Sequence, residues 1–398
     1  MIRILHLFDA EITWEQRVQA GLLIERLPAD RFACRAAVLE ARHRRLAPPG
    51  PNGVDVLPRR LAAQFLSAPA VRSYLHRHQI DLVHAWGADA PLAVVLACPQ
   101  TPIVVARFDP YISLRQGHRL RAAMQERRFA IACPAQTVRR RLMEQGLPED
   151  VCPVIRPGID LGAINAARRQ DVRGGLDLSP DDRVLIAPEP ATPRGGQFVA
   201  CWTAAVRSFV EPQIRLILPG TGRERDRIAR LTRQLGLTRL LRCPGESPGF
   251  ETLVAAADVL LCPPSGDASS SAIAWAMAAG VPVIATAVYS TAELIANRQN
   301  GLLVKPDAAK RLAVKLAALL EQEETLARLR EVARGQAYQV FSVRRYVAQH
   351  ARLYDNITSG RPVGDGISDA AYDTHPADPV PLPPNKTATV RERPPGNS

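Results

Sequence analysis

The chain has 398 residues, 46% of them hydrophobic, and carries 51 Lys and Arg against 39 Asp and Glu, a formal charge of +12. That length exceeds what one hydrophobic core organises and predicts two domains. The apolar stretch near the N-terminus, residues 4–8, is too short for a signal-peptide core, and no later run reaches the ~20 apolar residues of a membrane span, so a cytoplasmic protein is expected.

In chain order, strands are predicted at residues 2–8, 34–39, 81–85, 102–106 and 151–155, with a helix over about 15–27. Alternation of this kind implies a parallel, doubly wound sheet. The turn Arg156-Pro157-Gly158-Ile159-Asp160 ends the series, and residues 166–182 read as polar and loop-rich, which places the domain boundary there. A second series follows: strand 184–187, helix 197–209, strand 214–218, helix 223–235 and strand 240–243. Residues 257–306 then read as strand, loop, helix, strand, helix and strand. Helices over 308–322, 324–339 and 343–356 close the fold, with the helical apolar period seen in Leu312, Val314, Leu316, Leu319 and Leu320. From residue 358 onward, eight prolines and sparse apolar content predict a disordered tail. The expected division is therefore 1–165, 166–340, a closing helix at 341–357 and the tail 358–398.

The seven cysteines form no C-x-x-C pair and do not cluster with histidine, which points to reduced, mostly buried thiols rather than metal ligands or disulfides. Nine arginines lie between Arg107 and Arg141, against Asp109 and Glu126. Three readings compete for this basic patch: solvated helix faces, peripheral contact with an anionic membrane or phosphorylated acceptor, and nucleic acid. The first is favoured. Nucleic acid ranks last, because no zinc finger or aromatic RNA-binding signature is present.

The stretch from Ala257 to Pro306, AADVLLCPPSGDASSSAIAWAMAAGVPVIATAVYSTAELIANRQNGLLVKP, resembles the donor half of retaining glycosyltransferases of the family 4 type (glycosyl transferases group 1). The run from Gln79 to Trp86, QIDLVHAW, is similar to the family's strand ending in histidine. Val154 to Asp160 matches its domain-linking turn, and Gly245 its strand-end glycine. The resemblance implies the α/β GT-B architecture: two facing Rossmann-like, doubly wound domains, the N-terminal one holding the acceptor and the C-terminal one the donor. It also implies transfer of a sugar from a nucleotide-sugar donor to a cell-envelope glycan, a lipid-linked acceptor or a small molecule. Neither a metal nor a further cofactor is implied.

Such a transferase must neutralise a diphosphate leaving group, which calls for cations and for free amides at helix N-termini. In the loop 188–196, Arg194 stands at the family's lysine and Glu189 at its arginine, with Gly195 beside it. The family's paired glutamates fall on Asp267 and Trp275. Asp267 keeps a carboxylate for the transferred sugar and is the candidate catalytic residue. Trp275 cannot accept hydrogen bonds from a ribose, since an indole has one donor and no acceptor; core packing is the leading reading for it, and stacking on a sugar or base the other. Ala268, Ser269 and Ser270, opening into a helix, offer either a phosphate cradle or a simple helix cap. Gly220 and Gly222 match the family's turn near the nucleotide. On the acceptor side, Trp14 stands where the family has glycine, Glu15 matches its glutamate, and Phe108 replaces its histidine. His84 reads as structural. The altered positions leave a second hypothesis open, a catalytically silent relative that binds a glycan, nucleotide or partner. A nicotinamide-dependent oxidoreductase is poorer, because no G-x-G-x-x-G follows the first strand of either domain.

Overall fold

The computed structural model describes residues 1–9, 13–39, 53–57, 67–87, 89–98, 100–108, 117–118, 120–121, 124, 128–166, 169–188, 194–245, 248–266, 271–306 and 309–369. The N-terminal sheet contains β1 (Ile2–Phe8), β2 (Phe32–Leu39), β3 (Val54–Leu57), β4 (Leu82–Trp86), β5 (Ile103–Ala106) and β6 (Phe129–Ala132). All pair in parallel, in the order β3-β2-β1-β4-β5-β6. Around them lie α1 (Trp14–Arg26), α2 (Ala68–Arg77), α3 (Ala90–Ala97) and α4 (Gln136–Glu144). The C-terminal sheet contains β7 (Arg183–Ile186), β8 (Ile214–Ile217), β9 (Leu241–Arg242), β10 (Val259–Cys262), β11 (Val283–Thr286) and β12 (Leu302–Val304), in the order β12-β11-β10-β7-β8-β9. Counted within each domain, the strand order is the same, so each sheet reverses direction between its first and fourth strands. In such sheets ligands bind beyond the carboxyl ends of the strands at that reversal. The central strands were legible because both faces are covered: β4 reads LVHAW and β10 VLLC, every residue buried.

The other helices are α5 (Leu161–Ala166), α6 (Arg169–Gly175), α7 (Gln197–Ser208), α8 (Arg223–Gln234), α9 (Phe250–Leu253), α10 (Ser271–Ala278), α11 (Tyr289–Ala292), α12 (Ala309–Leu320), α13 (Glu323–Val340) and α14 (Val343–Ser359). Among the described residues, no helix is long and apolar enough to cross a membrane. Helix α13 packs on α10 in the C-terminal domain. Helix α14, by contrast, returns to the N-terminal domain, where Tyr346, Val347, Leu353, Tyr354 and Ile357 join Ile4, Phe8 and Trp86 in one core. The crossing is secured where Ile159 N–H donates to the Phe341 carbonyl at 2.7 Å.

Four sequence expectations shift. Residues 151–155 form no ladder strand: Pro153 lacks an N–H, and only Val154 bridges, to Cys133. The sheet edges are instead β3 and β6, which the sequence reading passed over. Residues 161–166 and 169–175 are helical, where the polar composition of 166–182 predicts loop. The tail expected from residue 358 begins later, because α14 runs to Ser359 and residues 360–369 lie against it. Asn356 donates to the Val363 and Asp365 carbonyls, Gln349 and Arg345 to that of Ser368, and Val363 and Ile367 pack on the N-terminal core.

Three buried histidines meet where α14 packs on the N-terminal sheet, His350 on the helix and His6 and His84 on β1 and β4. His84 Nδ1 is 2.6 Å from Tyr354 Oη, Trp86 Nε1 donates to His6 Nδ1 at 3.2 Å, and His350 Nδ1 donates to the Tyr346 carbonyl at 3.0 Å. Burial lowers all three: His6 to about 3, helped by His350, His350 to about 4, and His84 well below its ordinary value, helped by His6 and His350. These groups are neutral in the folded state and protonate more readily when unfolded. Stability is therefore full above the ordinary pKa of 6.5 and declines as pH falls toward about 4 and 3. The expected loss approaches about 1.4 kcal/mol per pH unit for each histidine, measured by urea unfolding at a series of pH values. A His350→Gln variant should show a shallower decline; an unchanged slope would remove the histidines as its cause.

Candidate active site

At the C-terminal domain's reversal point, the loops after β7 and β10 are laced together. Ser265 N–H donates to the Arg194 carbonyl at 3.0 Å, Gln197 Nε2 to the Pro188 carbonyl at 3.0 Å, and Thr286 Oγ1 to the Pro264 carbonyl at 2.5 Å. Gly196 makes this contact feasible: its φ is +83°, and a Cβ there would collide with the Pro263 carbonyl. Gly196 is also the N-cap of α7 and has no side chain to cover the helix start. Arg194 is exposed just before it. Helix α10 begins beside this loop, so a cation and two helix N-termini border one end of the C-terminal sheet. Gly220 N–H bonds the Gly245 carbonyl at 2.8 Å, and Gly222, at φ +119°, starts α8, so this turn borders the same edge.

The corresponding place in the N-terminal domain is filled by the protein itself. Asp9, at the end of β1, accepts from Ala90 N–H at 2.6 Å and Asp89 N–H at 3.0 Å, capping α3 with a carboxylate. Anion-binding capacity at this helix start is thereby used internally.

Between the two reversal points, Thr13 forms a capping box with Gln16, which makes Trp14 the first residue of α1. Trp14 is buried in the core of the other domain, its ring 5.0 Å from Phe250 and 6.4 Å from Trp275 in an edge-on arrangement. Two positions that sequence marked separately as altered thus touch across the domain boundary. Trp275 is buried on α10, as core packing requires, yet among the described residues its indole Nε1 has no hydrogen-bond partner. Glu15 is buried in the first turn of α1. Phe108 stacks on Trp86, centroids 6.3 Å apart, and packs with the N-terminal core. His84 is structural, as expected. Asp267, Ala268, Ser269, Ser270 and Glu189 lie outside the described residues.

A second junction was not legible in the sequence. Arg156, buried in the linking turn, pairs with Glu293 just after α11 and with Asp369, to which it donates at 3.0 and 2.7 Å. Glu293 also caps α4 from across the domains, accepting from Gln136 N–H at 2.7 Å, Thr137 N–H at 2.9 Å and Thr137 Oγ1 at 2.6 Å. Burial works against the Arg156 charge, but the two carboxylates outweigh it and hold its pKa above the ordinary value. The described arginines of the basic patch are engaged by the protein: Arg139 pairs with Glu149, Arg141 with Glu144, Arg140 lies 3.9 Å over the Tyr289 ring, and Arg121 and Arg128 donate to backbone carbonyls.

Removing one member of a buried ion pair strands the other. Glu293→Ala is therefore expected to cost about 3–5 kcal/mol in chemical unfolding. Arg26→Ala, which breaks an exposed pair with Asp160, should cost at most about 1 kcal/mol. Equal effects would show that the buried network is not a special constraint.

Residues 22–163 match the family model "Glycosyltransferase Family 4" and residues 199–336 the model "Glycosyl transferases group 1". The chain is 26% identical over 179 residues to D-inositol 3-phosphate glycosyltransferase of Segniliparus rotundus, covering 44% of this chain and 40% of that one. It is 27% identical over 226 residues to the putative colanic acid biosynthesis glycosyltransferase WcaL of Salmonella typhimurium, covering 54% of each. The chain thus spans about half, or less, of the length of these curated relatives. In structure it resembles Anabaena HepE, solved with UDP and glucose, with a TM-score of 0.72 at 19% identity over 89% of this chain and all of that one. Sucrose-phosphate synthase of Thermosynechococcus elongatus gives 0.73 at 16% identity over 90% of this chain and 100% of that one. With two Rossmann-like domains in the GT-B arrangement and both family models matched in order, the chain belongs to the family 4 type of group 1 glycosyltransferases.

Proposed function

We propose that the protein transfers a sugar from a nucleotide-sugar donor to a glycan or lipid-linked acceptor. The observation that carries this reading is the laced pair of loops at the C-terminal reversal point, which sets Arg194 and the glycine-capped start of α7 beside the start of α10. In the reaction, the bond between the sugar's anomeric carbon and the diphosphate oxygen breaks. A bond from the acceptor oxygen to that carbon forms, and the acceptor proton passes to the departing diphosphate. Arg194 and the amides around Gly195 and Gly196 meet the charge that develops on the leaving group. Asp267 contacts the transferred sugar. Attack on the face the diphosphate leaves gives retention, and supply of positive charge by the protein makes the step metal-independent. HepE, which shares the fold, was solved with UDP-glucose, and this supports a uridine diphosphate donor.

Trp275 supports a ligand in a different way. A buried N–H without a partner costs about 1–3 kcal/mol, and a ribose hydroxyl oxygen would satisfy it. The indole would then donate where the family's carboxylate accepts.

The Trp14, Trp275 and Phe250 contact favours a second reading, a binding protein without turnover, because aromatic rings occupy ground between the domains. Turnover assays with a panel of nucleotide sugars separate the two. The transferase reading expects product, and a loss in kcat of about a hundredfold or more in Arg194→Ala and in Asp267→Ala, with melting temperatures unchanged. A stabilising shift with UDP but no product from any donor would establish the binder. Full turnover in both variants would overturn the site assignment.

A further inference from the structure

Helix α7 carries an apolar stripe that is exposed among the described residues. Phe198, Trp202, Val206, Phe209 and Val210 are all exposed, Trp202 at 47% and Phe209 at 77%. Their spacing of four, four and then three or four residues places them on one side of the helix and its C-terminal turn. The opposite face, with Ala200, Cys201 and Ala204, packs on the sheet. A contiguous apolar surface with three aromatic rings is not ordinary solvent-facing decoration.

The helices on either side of α7 are cationic. On one flank, α8 has five arginines against two acidic residues, and Arg223, Arg227 and Arg230 are exposed. The Arg227 guanidinium lies 5.1 Å from the centre of the Phe198 ring, joining the basic flank to the stripe. On the other flank, α12 packs against α7 and holds Lys310, Arg311 and Lys315 exposed, with no acidic residue. The chain has only four lysines, and two of them are on this helix. Val314, which fits the helical apolar period, is 61% exposed between Arg311 and Lys315.

We propose that this face, α7 flanked by α8 and α12, docks on an anionic membrane surface. The chemistry of such a surface matches both parts of the face. Trp and Phe rings enter the boundary between headgroups and acyl chains, while Arg and Lys on either side reach anionic headgroups. A second copy of the chain fits less well. A two-fold contact through α7 would bring one net-cationic flank against another. Because α7 starts at the loop holding Arg194 and its stripe runs along its length, docking lays the helix flat and brings the donor end of the cleft to the membrane.

The four tryptophans make the test direct: Trp14, Trp86 and Trp275 are 5%, 1% and 3% exposed, so an aqueous quencher reaches Trp202 almost alone. The full-length chain is mixed with vesicles of phosphatidylglycerol and phosphatidylcholine in equal parts, or of phosphatidylcholine alone. The proposal expects a blue shift of the emission and loss of acrylamide quenching with the anionic vesicles, and co-sedimentation with them that drops about tenfold or more in Trp202→Ser/Phe209→Ser at unchanged circular dichroism. Lys310→Gln/Arg311→Gln/Lys315→Gln should weaken binding to the anionic vesicles in the same assay. Three results would each overturn it: no blue shift on anionic vesicles; co-sedimentation unaffected by the double substitution, which would place docking elsewhere; or lipid-free dimerisation that the same double substitution abolishes.

Discussion

A guanidinium withdrawn from water must be matched or the fold fails, and Arg156 is the place where this protein meets that demand. The idealised cost of moving such an ion into a protein interior is on the order of 20 kcal/mol, and several remain after relaxation. Glu293 and Asp369 supply two carboxylates, and the surplus negative charge is met by the backbone and side-chain donors of Gln136 and Thr137 at the start of α4. The four contributions come from the N-terminal domain, the linking turn, the C-terminal domain and the segment after the last helix. Satisfying one buried charge therefore brings all four together. With α14 laid back on the N-terminal sheet, it fixes how the two strand-end surfaces face each other.

Within that frame the two reversal points are unequal. In the N-terminal domain Asp9 uses up the helix-start donors of α3, and Gly87, at φ +110°, leaves room for its carboxylate. In the C-terminal domain the N-cap of α7 is Gly196, which brings no side chain of its own to the helix start. In the proposed reading the anionic ligand binds on the C-terminal side, and the N-terminal domain contributes shape. Part of that shape is Trp14, which crosses into the other domain's core. The aromatic residues at 14 and 275, each unusual alone, are two halves of one contact, so a change at one position has its physical reason at the other.

Much of this was readable in the sequence. Buried parallel strands appear as unbroken apolar runs, as in β5 (IVVA) and β10 (VLLC), and the glycines at 220 and 222 mark the turn that starts α8. Edge strands gave little signal: β3 is VDVL with Asp55 facing out, and β6 is FAIA, rich in small residues. Residues 360–369 hold only Val363 and Ile367 as packing groups, and their order comes from α14 side chains donating to their carbonyls. The Arg156 network and the Trp14 to Trp275 contact join residues distant in the chain, and no local period or motif encodes such a meeting. For the same reason Val314 fitted a helical period and still faces solvent, since a period does not say which neighbour covers the helix.

The most direct measurement is hydrogen–deuterium exchange of the full chain with and without UDP. The account predicts protection confined to the starts of α7 and α10, at residues 194–200 and 271–276, with no change at the start of α3, where Asp9 already holds the amides. Protection at α3 instead, or none anywhere at millimolar UDP, would contradict the claim that the C-terminal reversal point is a nucleotide-sugar site.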